Sequence, residues 1–171
     1  CLVGSEMCIR DSIATSAIGP CMLPVSYEGD PLMNAVLYGV DTRAEKEIRE
    51  LNEELGEEKI LQNCGNALTS QSVGPKILWL KKNCPEIYKK AHKILSSTSY
   101  LVQKLTDESV IDHYTAANFT PLDDIKNLKW TDALTKNIIE IERLPKLKWT
   151  TEIAGYVSKV ASKETGLATG T

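Results

Sequence analysis

The 171-residue sequence predicts a mixed α/β fold in which strands come first and helices then alternate with strands. In the first forty residues, short apolar runs are separated by Gly and Pro turn signals. Beyond them, apolar residues recur three and four positions apart, which is the period of an amphipathic helix. A hydrophobic content of 42% and a charged content of 25% are ordinary for a packed domain. This order of elements fits a layered α/β or α+β arrangement.

The strands predicted at the start of the chain are residues 14–18, 22–27 and 35–40. Gly19-Pro20 marks a sharp turn after the first strand. Residues 28–31, Glu-Gly-Asp-Pro, have the composition of a tight turn after the second. Consecutive short strands joined by tight turns predict an antiparallel three-strand meander.

The stretch of residues 66–86 is the centre of the predicted fold. It begins as a polar loop up to Ser72, and Pro75 then stands near the start of a helix, where no useful N–H is lost. The apolar positions of this helix follow at spacings of four, three and four, on one helical face: Val73, Ile77, Leu80 and Cys84. Pro85 ends the helix and opens a second one.

The remaining elements follow from caps and periodicity. Thr42 is the predicted N-cap of a helix over residues 42–55, with Glu45 completing a capping box and Gly56 ending it. Further helices are predicted over residues 57–63, 100–105, 131–141 and 158–165, and further strands over residues 93–96, 110–114 and 153–157.

Composition excludes several classes of protein. A net charge of −3 argues against a nucleic-acid binder, which would show a basic patch. No apolar run approaches the length of about 18 residues that a membrane span requires. Three cysteines lie beyond residue 12, an odd number without a C-x-x-C pair, and this favours reduced thiols. His92 and His113 stand alone, so no metal site is predicted.

Residues 1–12 are interpreted as translated sequencing-adapter sequence rather than as part of the protein. The chain opens on Cys1, and residues 7–11 back-translate to the end of a transposase-based adapter. Two units are therefore expected: the non-native segment 1–12 and a partial domain over residues 13–171. The chain is expected to be a fragment.

The central stretch resembles the FGGY family of carbohydrate kinases. Lys76, Trp79, Leu80, Pro85 and Glu86 fall on its pattern K-x-x-W-L-x-x-x-x-P-E. Other short matches follow the family's order along the chain: Asp41-Thr42-Arg43, Ser99-Tyr100-Leu101, Leu105-Thr106, Asp112 with Thr115-Ala116, Leu144-Pro145, Ile153-Ala154-Gly155 and Thr165-Gly166-Leu167.

The resemblance implies part of the N-terminal domain of a sugar kinase with a ribonuclease-H-like, actin-like fold. The full-length enzyme is expected to use ATP and Mg²⁺ to phosphorylate a sugar or polyol, most simply a pentose or pentulose, as xylulose- and ribulose-kinase-like members do. Its partners would be the sugar and the C-terminal kinase domain of the same chain, and a homodimer and a cytoplasmic location are also expected. The resemblance puts the catalytic Asp beyond Thr171, so no catalytic residue is assigned and the fragment is expected to be inactive.

Five of the candidate substrate-binding residues lie near the predicted first and third strands. Asp41 follows a predicted strand and could face the sugar, or it could simply be the carboxylate at a helix start. Arg43 could hold Asp41 or a substrate oxygen, or be a solvated surface residue. Gly19, Pro20 and Cys21 fall where the resemblance implies a sugar-contacting loop, but the family's polar side chains are missing there. Cys21 is expected to be a packed residue, not a nucleophile.

The other candidates lie in and after the polar loop. Gln71 and Ser72 could bond sugar hydroxyls or merely cap the loop. Lys76 would oppose the helix dipole, so it is expected to have a carboxylate or a backbone carbonyl as its partner. Asp112 is expected to support the structure by pairing across strands or by capping the turn at Thr115.

Two other functional classes remain open at this stage. One is a non-catalytic actin-like domain that binds a sugar or a partner without phosphorylating it. The other is an unrelated α+β domain, which failure of the three-strand meander would favour.

Overall fold

The structure, a computed structural model, describes residues 12–131 and 137–171. Its α-helices are α1 Glu45–Leu55, α2 Glu57–Cys64, α3 Val73–Asn83, α4 Pro85–Lys90, α5 Ser97–Thr106, α6 His113–Ala116 and α7 Lys159–Thr165. Its strands are β1 Leu23–Val25, β2 Lys93–Leu95, β3 Val110–Asp112, β4 Asp123–Asp124, β5 Lys129–Trp130 and β6 Lys146–Lys148. Two short 3₁₀ turns span Ala117–Phe119 and Ile141–Arg143.

The strands of the described residues pair two by two. Strands β1 and β2 are antiparallel, with Leu23 opposite Leu95, and β4 and β5 are also antiparallel. Strands β3 and β6 are parallel, with Val110 opposite Lys146. The pairs β1–β2 and β3–β6 join segments separated by helices, whereas β4 and β5 follow each other directly in the chain.

Helix α3 is the centre of the core, as the sequence predicts. Val73, Ile77 and Leu80 are completely buried, and they belong to one apolar cluster with residues of α1, β2 and other elements. Burial of one such side chain contributes about 1.5–3 kcal/mol. Pro75 lies in the first turn of α3, and Pro85 is the first residue of α4. The prediction of two successive helices is confirmed.

The predicted three-strand meander is wrong. Residues 14–18 are mostly exposed and form no strand, because no strand of the described residues lies beside them to complete their hydrogen bonds. In the segment 35–40 only Val36 forms a bridge, to Met22, and a turn follows directly. Strand β1 instead pairs with β2, where Ile94 and Leu95 are fully buried. Burial against a remote strand outweighs the local hairpin.

The first helix begins later than predicted. Helix α1 starts at Glu45, and Thr42 is not its cap. The Asp41 carboxylate accepts a hydrogen bond from the Arg43 backbone N–H at 3.1 Å, which forms a turn where the helix was expected. The end is as predicted, since the Gly56 N–H donates to the Asn52 carbonyl at 3.0 Å.

Side-chain caps set the starts of three later helices. Helix α5 begins three residues earlier than predicted because the Ser96 hydroxyl accepts a bond from the Ser99 N–H at 3.1 Å. The strand predicted over 110–114 ends at Asp112, which caps α6. Ser158 caps α7 close to the predicted start.

The strand predicted over residues 153–157 does not form. Of the predicted helix 131–141, residues 132–136 lie outside the described part of the chain, and the described ends are not α-helical. Trp130 belongs instead to β5, and Ile141 begins a 3₁₀ turn. No described helix is both long and apolar enough to cross a bilayer.

Asp123 is an unusual carboxylate in this core. It is only 2% exposed, and its Oδ1 has no hydrogen-bond partner. Burial, opposed by His113 and assisted by Asp124, raises the pKa of Asp123 to about 6. The folded state therefore binds a proton at Asp123 more readily than the unfolded chain does.

We expect Asp123 to make stability fall as the pH rises from about 4 to above 6. Below pH 4 the carboxyl is protonated in both states, and above pH 6 the folded state holds a buried charge. Asp123→Asn should remove this loss, so its advantage over the wild type should grow by roughly 1–3 kcal/mol over that range. Denaturant titrations at a series of pH values measure it.

Asp124→Asn is the matched control. Hydrogen bonds from Asn127 lower the pKa of Asp124, so this carboxylate stabilises the fold above its ordinary pKa, and the benefit is lost as the pH falls. The two variants should differ in the sign of their pH dependence. Parallel curves for both would contradict the expectation.

Candidate functional site

Asp41 and Arg43 form a closed ion pair at the entrance to α1. The Arg43 Nε donates to both Asp41 carboxylate oxygens, at 2.8 and 2.9 Å, and the second guanidinium nitrogen lies 2.7 Å from Oδ2. These hydrogen bonds hold the pKa of Asp41 below its ordinary value. The guanidinium also lies 4.7 Å from the ring centre of Trp79 on α3, within the range of a cation–π contact.

Asp41 does not follow a strand, contrary to the prediction, because residues 38–40 form a turn. Lys76 of α3 is hydrogen-bonded to Leu37, the residue before this turn. Its side chain is 1% exposed, and its Nζ donates to the Leu37 carbonyl at 2.8 Å. Burial lowers the pKa of Lys76, and the Asp41 carboxylate opposes that shift. The expectation that Lys76 has a carbonyl or carboxylate partner is confirmed.

Three of the predicted residues meet along one shallow surface cleft, which in this chain has no room for a water molecule. Asp41, Ser72 and Lys76 line it between the start of α1 and the loop before α3, together with Glu45 and Thr69 among others. The structure thus brings together the Asp-x-Arg segment and the polar loop, which lie about thirty residues apart in the sequence.

The polar loop is held largely by its own side chains. The Ser72 hydroxyl accepts a bond from the Thr69 N–H at 3.0 Å, and the Thr69 hydroxyl accepts one from the Gln71 N–H at 3.2 Å. The loop-capping interpretation of Ser72 is therefore seen directly. The Gln71 side chain is exposed.

The segment from Gly19 to Cys21 runs beside the same turn. An added Cβ at Gly19 would lie 3.4 Å from the Tyr38 ring, and Cys21 is 1% exposed and close enough to Lys76 to act on its pKa. Cys21 is a packed residue, as predicted, and Pro20 is buried as well. The three described cysteines are free thiols.

Asp112 lies elsewhere and has a structural role. Its carboxylate accepts bonds from the Thr115 N–H at 2.9 Å and from the Thr115 hydroxyl at 2.6 Å, which caps α6. This is one of the two structural roles predicted for it. Asp112 does not line the cleft of Asp41.

A larger cavity lies beside β3, and the sequence gives no signal for it. Its volume is about 500 Å³, and its walls come from residues 12–15, from α5, from β3 and from residues 148–157. Trp149 stands at this cavity with 41% of its surface exposed. Among the described residues, no group of three or more His, Cys, Asp or Glu side chains could hold a metal ion.

The comparisons with known proteins identify relatives along nearly the whole chain. The family model for the N-terminal domain of the FGGY family of carbohydrate kinases matches residues 8–171. The match begins inside the segment interpreted as adapter sequence, and that interpretation remains a prediction.

Individual relatives agree with the family match. A xylulose kinase from Staphylococcus xylosus is 26% identical over 147 residues, covering 85% of this chain and 30% of that protein. A glycerol kinase from Thermococcus onnurineus is 35% identical over 136 residues, covering 77% of this chain and 27% of that protein. The crystal structure of xylulose kinase from Rhodospirillum rubrum has a TM-score of 0.86 and 26% identity, covering 92% of this chain and 33% of that one. The chain thus spans about a third or less of the length of each of these proteins.

Proposed function

Because this chain belongs to the FGGY family of carbohydrate kinases, we propose that the full-length protein transfers a phosphoryl group from ATP to a hydroxyl group of a sugar or polyol. The family match over residues 8–171 is the observation that carries the proposal. The predicted ribonuclease-H-like, actin-like fold is confirmed by the likeness to the solved sugar kinases. The proposed substrate is a pentulose, which the structural likeness to xylulose kinase supports, and glycerol is the alternative acceptor because a glycerol kinase is 35% identical.

In this proposal the chain supplies one wall of the acceptor site. The wall consists of the Asp41–Arg43 pair, the segment from Gly19 to Cys21, and the loop with Gln71 and Ser72. The Asp41 carboxylate can accept about four hydrogen bonds and already receives four contacts from Arg43, so a substrate hydroxyl would bond to its 19% exposed side chain by displacing one of them. Positioning of this kind is a large part of phosphoryl-transfer catalysis.

The groups that act on the phosphates belong to other parts of the full-length protein. Among the described residues, no group of three or more His, Cys, Asp or Glu side chains could hold a metal ion, and no step is assigned to a metal in this chain. We place the carboxylate base beyond Thr171, and ATP and Mg²⁺ at the C-terminal kinase domain and its cleft. We also propose that the native domain of this chain spans residues 13–171, that the full-length protein is cytoplasmic and that it assembles as a homodimer.

The proposal is tested by measuring acceptor-dependent formation of ADP by the full-length protein. Xylulose, ribulose and glycerol serve as acceptors at saturating Mg-ATP, and a pentulose should give the highest kcat/KM. The 171-residue chain alone should give no turnover with any acceptor. Sugar binding by the full-length protein without ADP formation would replace the kinase assignment with the non-catalytic binding domain.

Asp41→Ala in the full-length protein should impair use of the sugar more than use of ATP. Loss of an acceptor for a bound hydroxyl costs roughly 1–3 kcal/mol, or about 5- to 150-fold in kcat/KM for the sugar. The KM for ATP should stay unchanged, and Asp41→Asn should give a smaller loss because it keeps one acceptor oxygen.

Asp30→Ala is the control for this prediction, since Asp30 forms an exposed pair with Lys104 and takes no part in the cleft. A normal kcat/KM for the sugar in Asp41→Ala, with unchanged stability, would mean that Asp41 does not bind the sugar and only forms part of the start of α1.

A further inference from the structure

Lys76 occupies a position that is unfavourable for a cation. It is the fourth residue of α3, where the positive end of the helix dipole opposes its charge. Its side chain is 1% exposed, and removal of an ammonium group from water is costly unless the group is paired. Its neighbours Val73 and Ile77 on α3 are fully buried apolar residues. An apolar side chain would fill this place at a lower cost.

The contacts of Lys76 indicate what the charge does there. Its Nζ donates to the Leu37 carbonyl at 2.8 Å, and the Asp41 carboxylate is near enough to stabilise the ammonium form. Leu37 and Asp41 bracket the turn at residues 38–40, a segment that no strand pairing secures. Lys76 therefore bonds the Leu37 end of this turn to α3, and its charge attracts the Asp41 carboxylate at the other end.

We propose that Lys76 is a positioning residue, whose buried ammonium group holds residues 37–41, and with them the Asp41–Arg43 pair, at the wall of the cleft. The inference rests on the proposed function in so far as that wall belongs to an acceptor site. Arg43 secures the pair from the other side through its contact with Trp79, 4.7 Å from the ring centre. The turn is thus attached to α3 at two points, one polar and one aromatic.

Lys76→Met separates positioning from packing. Methionine has nearly the same length and fills the same space, so packing is kept, whereas the Leu37 carbonyl loses its donor. The variant should therefore still fold, with a lowered denaturation midpoint. In the 171-residue chain, hydrogen exchange of the amides in residues 37–43 should accelerate at least tenfold. In the full-length protein, the KM for the sugar should rise about tenfold with an unchanged KM for ATP.

Lys81→Met is the matched control on the same helix. Lys81 also donates to a backbone carbonyl of another segment, that of Asn137 at 3.3 Å, but at an exposed position. This variant should change neither the exchange of residues 37–43 nor the KM for the sugar. Lys76→Gln also removes the ammonium group, and the same exchange and KM measurements are made on it.

The outcomes separate this inference from the proposed function. Unchanged exchange of residues 37–43 in Lys76→Met overturns the positioning role, whatever the protein phosphorylates. Faster exchange in a full-length protein whose wild type shows no kinase activity supports the positioning role and rejects the proposed function. Faster exchange in an active kinase with an unchanged KM for the sugar overturns the inference, and so does failure of both Lys76 variants to fold.

Discussion

Gly74→Ala is expected to lower the free energy of unfolding by about 3 kcal/mol, because overpacking a tight contact costs this much. An added Cβ would lie 2.4 Å from the Thr120 carbonyl oxygen and 2.6 Å from Cδ of Pro121. Both neighbours belong to backbone or to a ring, and the Gly74 N–H donates to the same carbonyl at 3.2 Å. Neither partner can move aside without disturbing that bond.

Helix propensity by itself would stabilise the Gly74→Ala variant. The sign of its change in the free energy of unfolding therefore shows whether the close contact outweighs propensity. Alanine in place of glycine gains at most about 1 kcal/mol within a helix. Gly19→Ala is the control, since its Cβ would meet only the Tyr38 side chain at 3.4 Å, an ordinary contact. Denaturant titration followed by tryptophan fluorescence measures both. A Gly74→Ala protein more stable than the wild type would refute the close approach of α3 to residues 120–121.

Arg143→Met should cost roughly 2–4 kcal/mol, since charged hydrogen bonds to buried partners are lost. One guanidinium nitrogen of Arg143 donates to the Tyr88 and Ala91 carbonyls at 2.7 and 2.5 Å, and Nε lies 2.9 Å from the Glu140 carboxylate. These bonds satisfy carbonyls at the C-terminal end of α4 and tie the 3₁₀ turn Ile141–Arg143 to it. The guanidinium also lies 4.8 Å from the ring centre of Tyr88.

Lys89→Met is the comparison for this prediction. Lys89 pairs with Glu86 at 2.9 Å on the exposed side of the same helix, where such pairs contribute a few tenths of a kcal/mol. Equal losses in the two variants would mean that the Arg143 network stabilises no more than a surface ion pair does.

The helices were the part of the fold that the sequence predicted well. Gly56 and Pro85 mark real boundaries, and the buried face of α3 follows the spacing of its apolar residues. The hydrogen bonds of a helix join residues four apart, so local sequence contains most of the needed information. The predicted start of α1 was too early because the Asp41 carboxylate accepts the Arg43 backbone N–H and forms a turn, a contact that the capping pattern does not reveal.

Strand pairing could not be predicted in the same way, because the partner of a strand lies far along the chain. Residues 22–27 and 93–96 were each recognised as strands, yet nothing local indicates that Leu23 pairs with Leu95. Failure of the meander was expected to favour an unrelated domain, but the family match overrules that criterion. The presence or absence of the meander therefore does not decide whether the chain belongs to the family.

The candidate site was predictable in its chemistry but not in its geometry. The sequence indicates that Lys76 needs an acceptor, whereas the choice of the Leu37 carbonyl depends on how the turn at residues 38–40 folds over α3. The stacking of Arg43 on Trp79 was likewise missed, since it joins α3 to a segment about thirty-five residues earlier.

The pairing of β1 with β2 has a consequence for synthesis of the chain on the ribosome. Leu23 and its partner Leu95 are separated by about seventy residues, which include the first four helices. At an elongation rate of about 5–20 residues per second, β1 emerges roughly 4–14 s before its partner strand. During that interval Leu23 and Val25 lack the strand that buries them, and this short apolar segment is exposed to association with other chains.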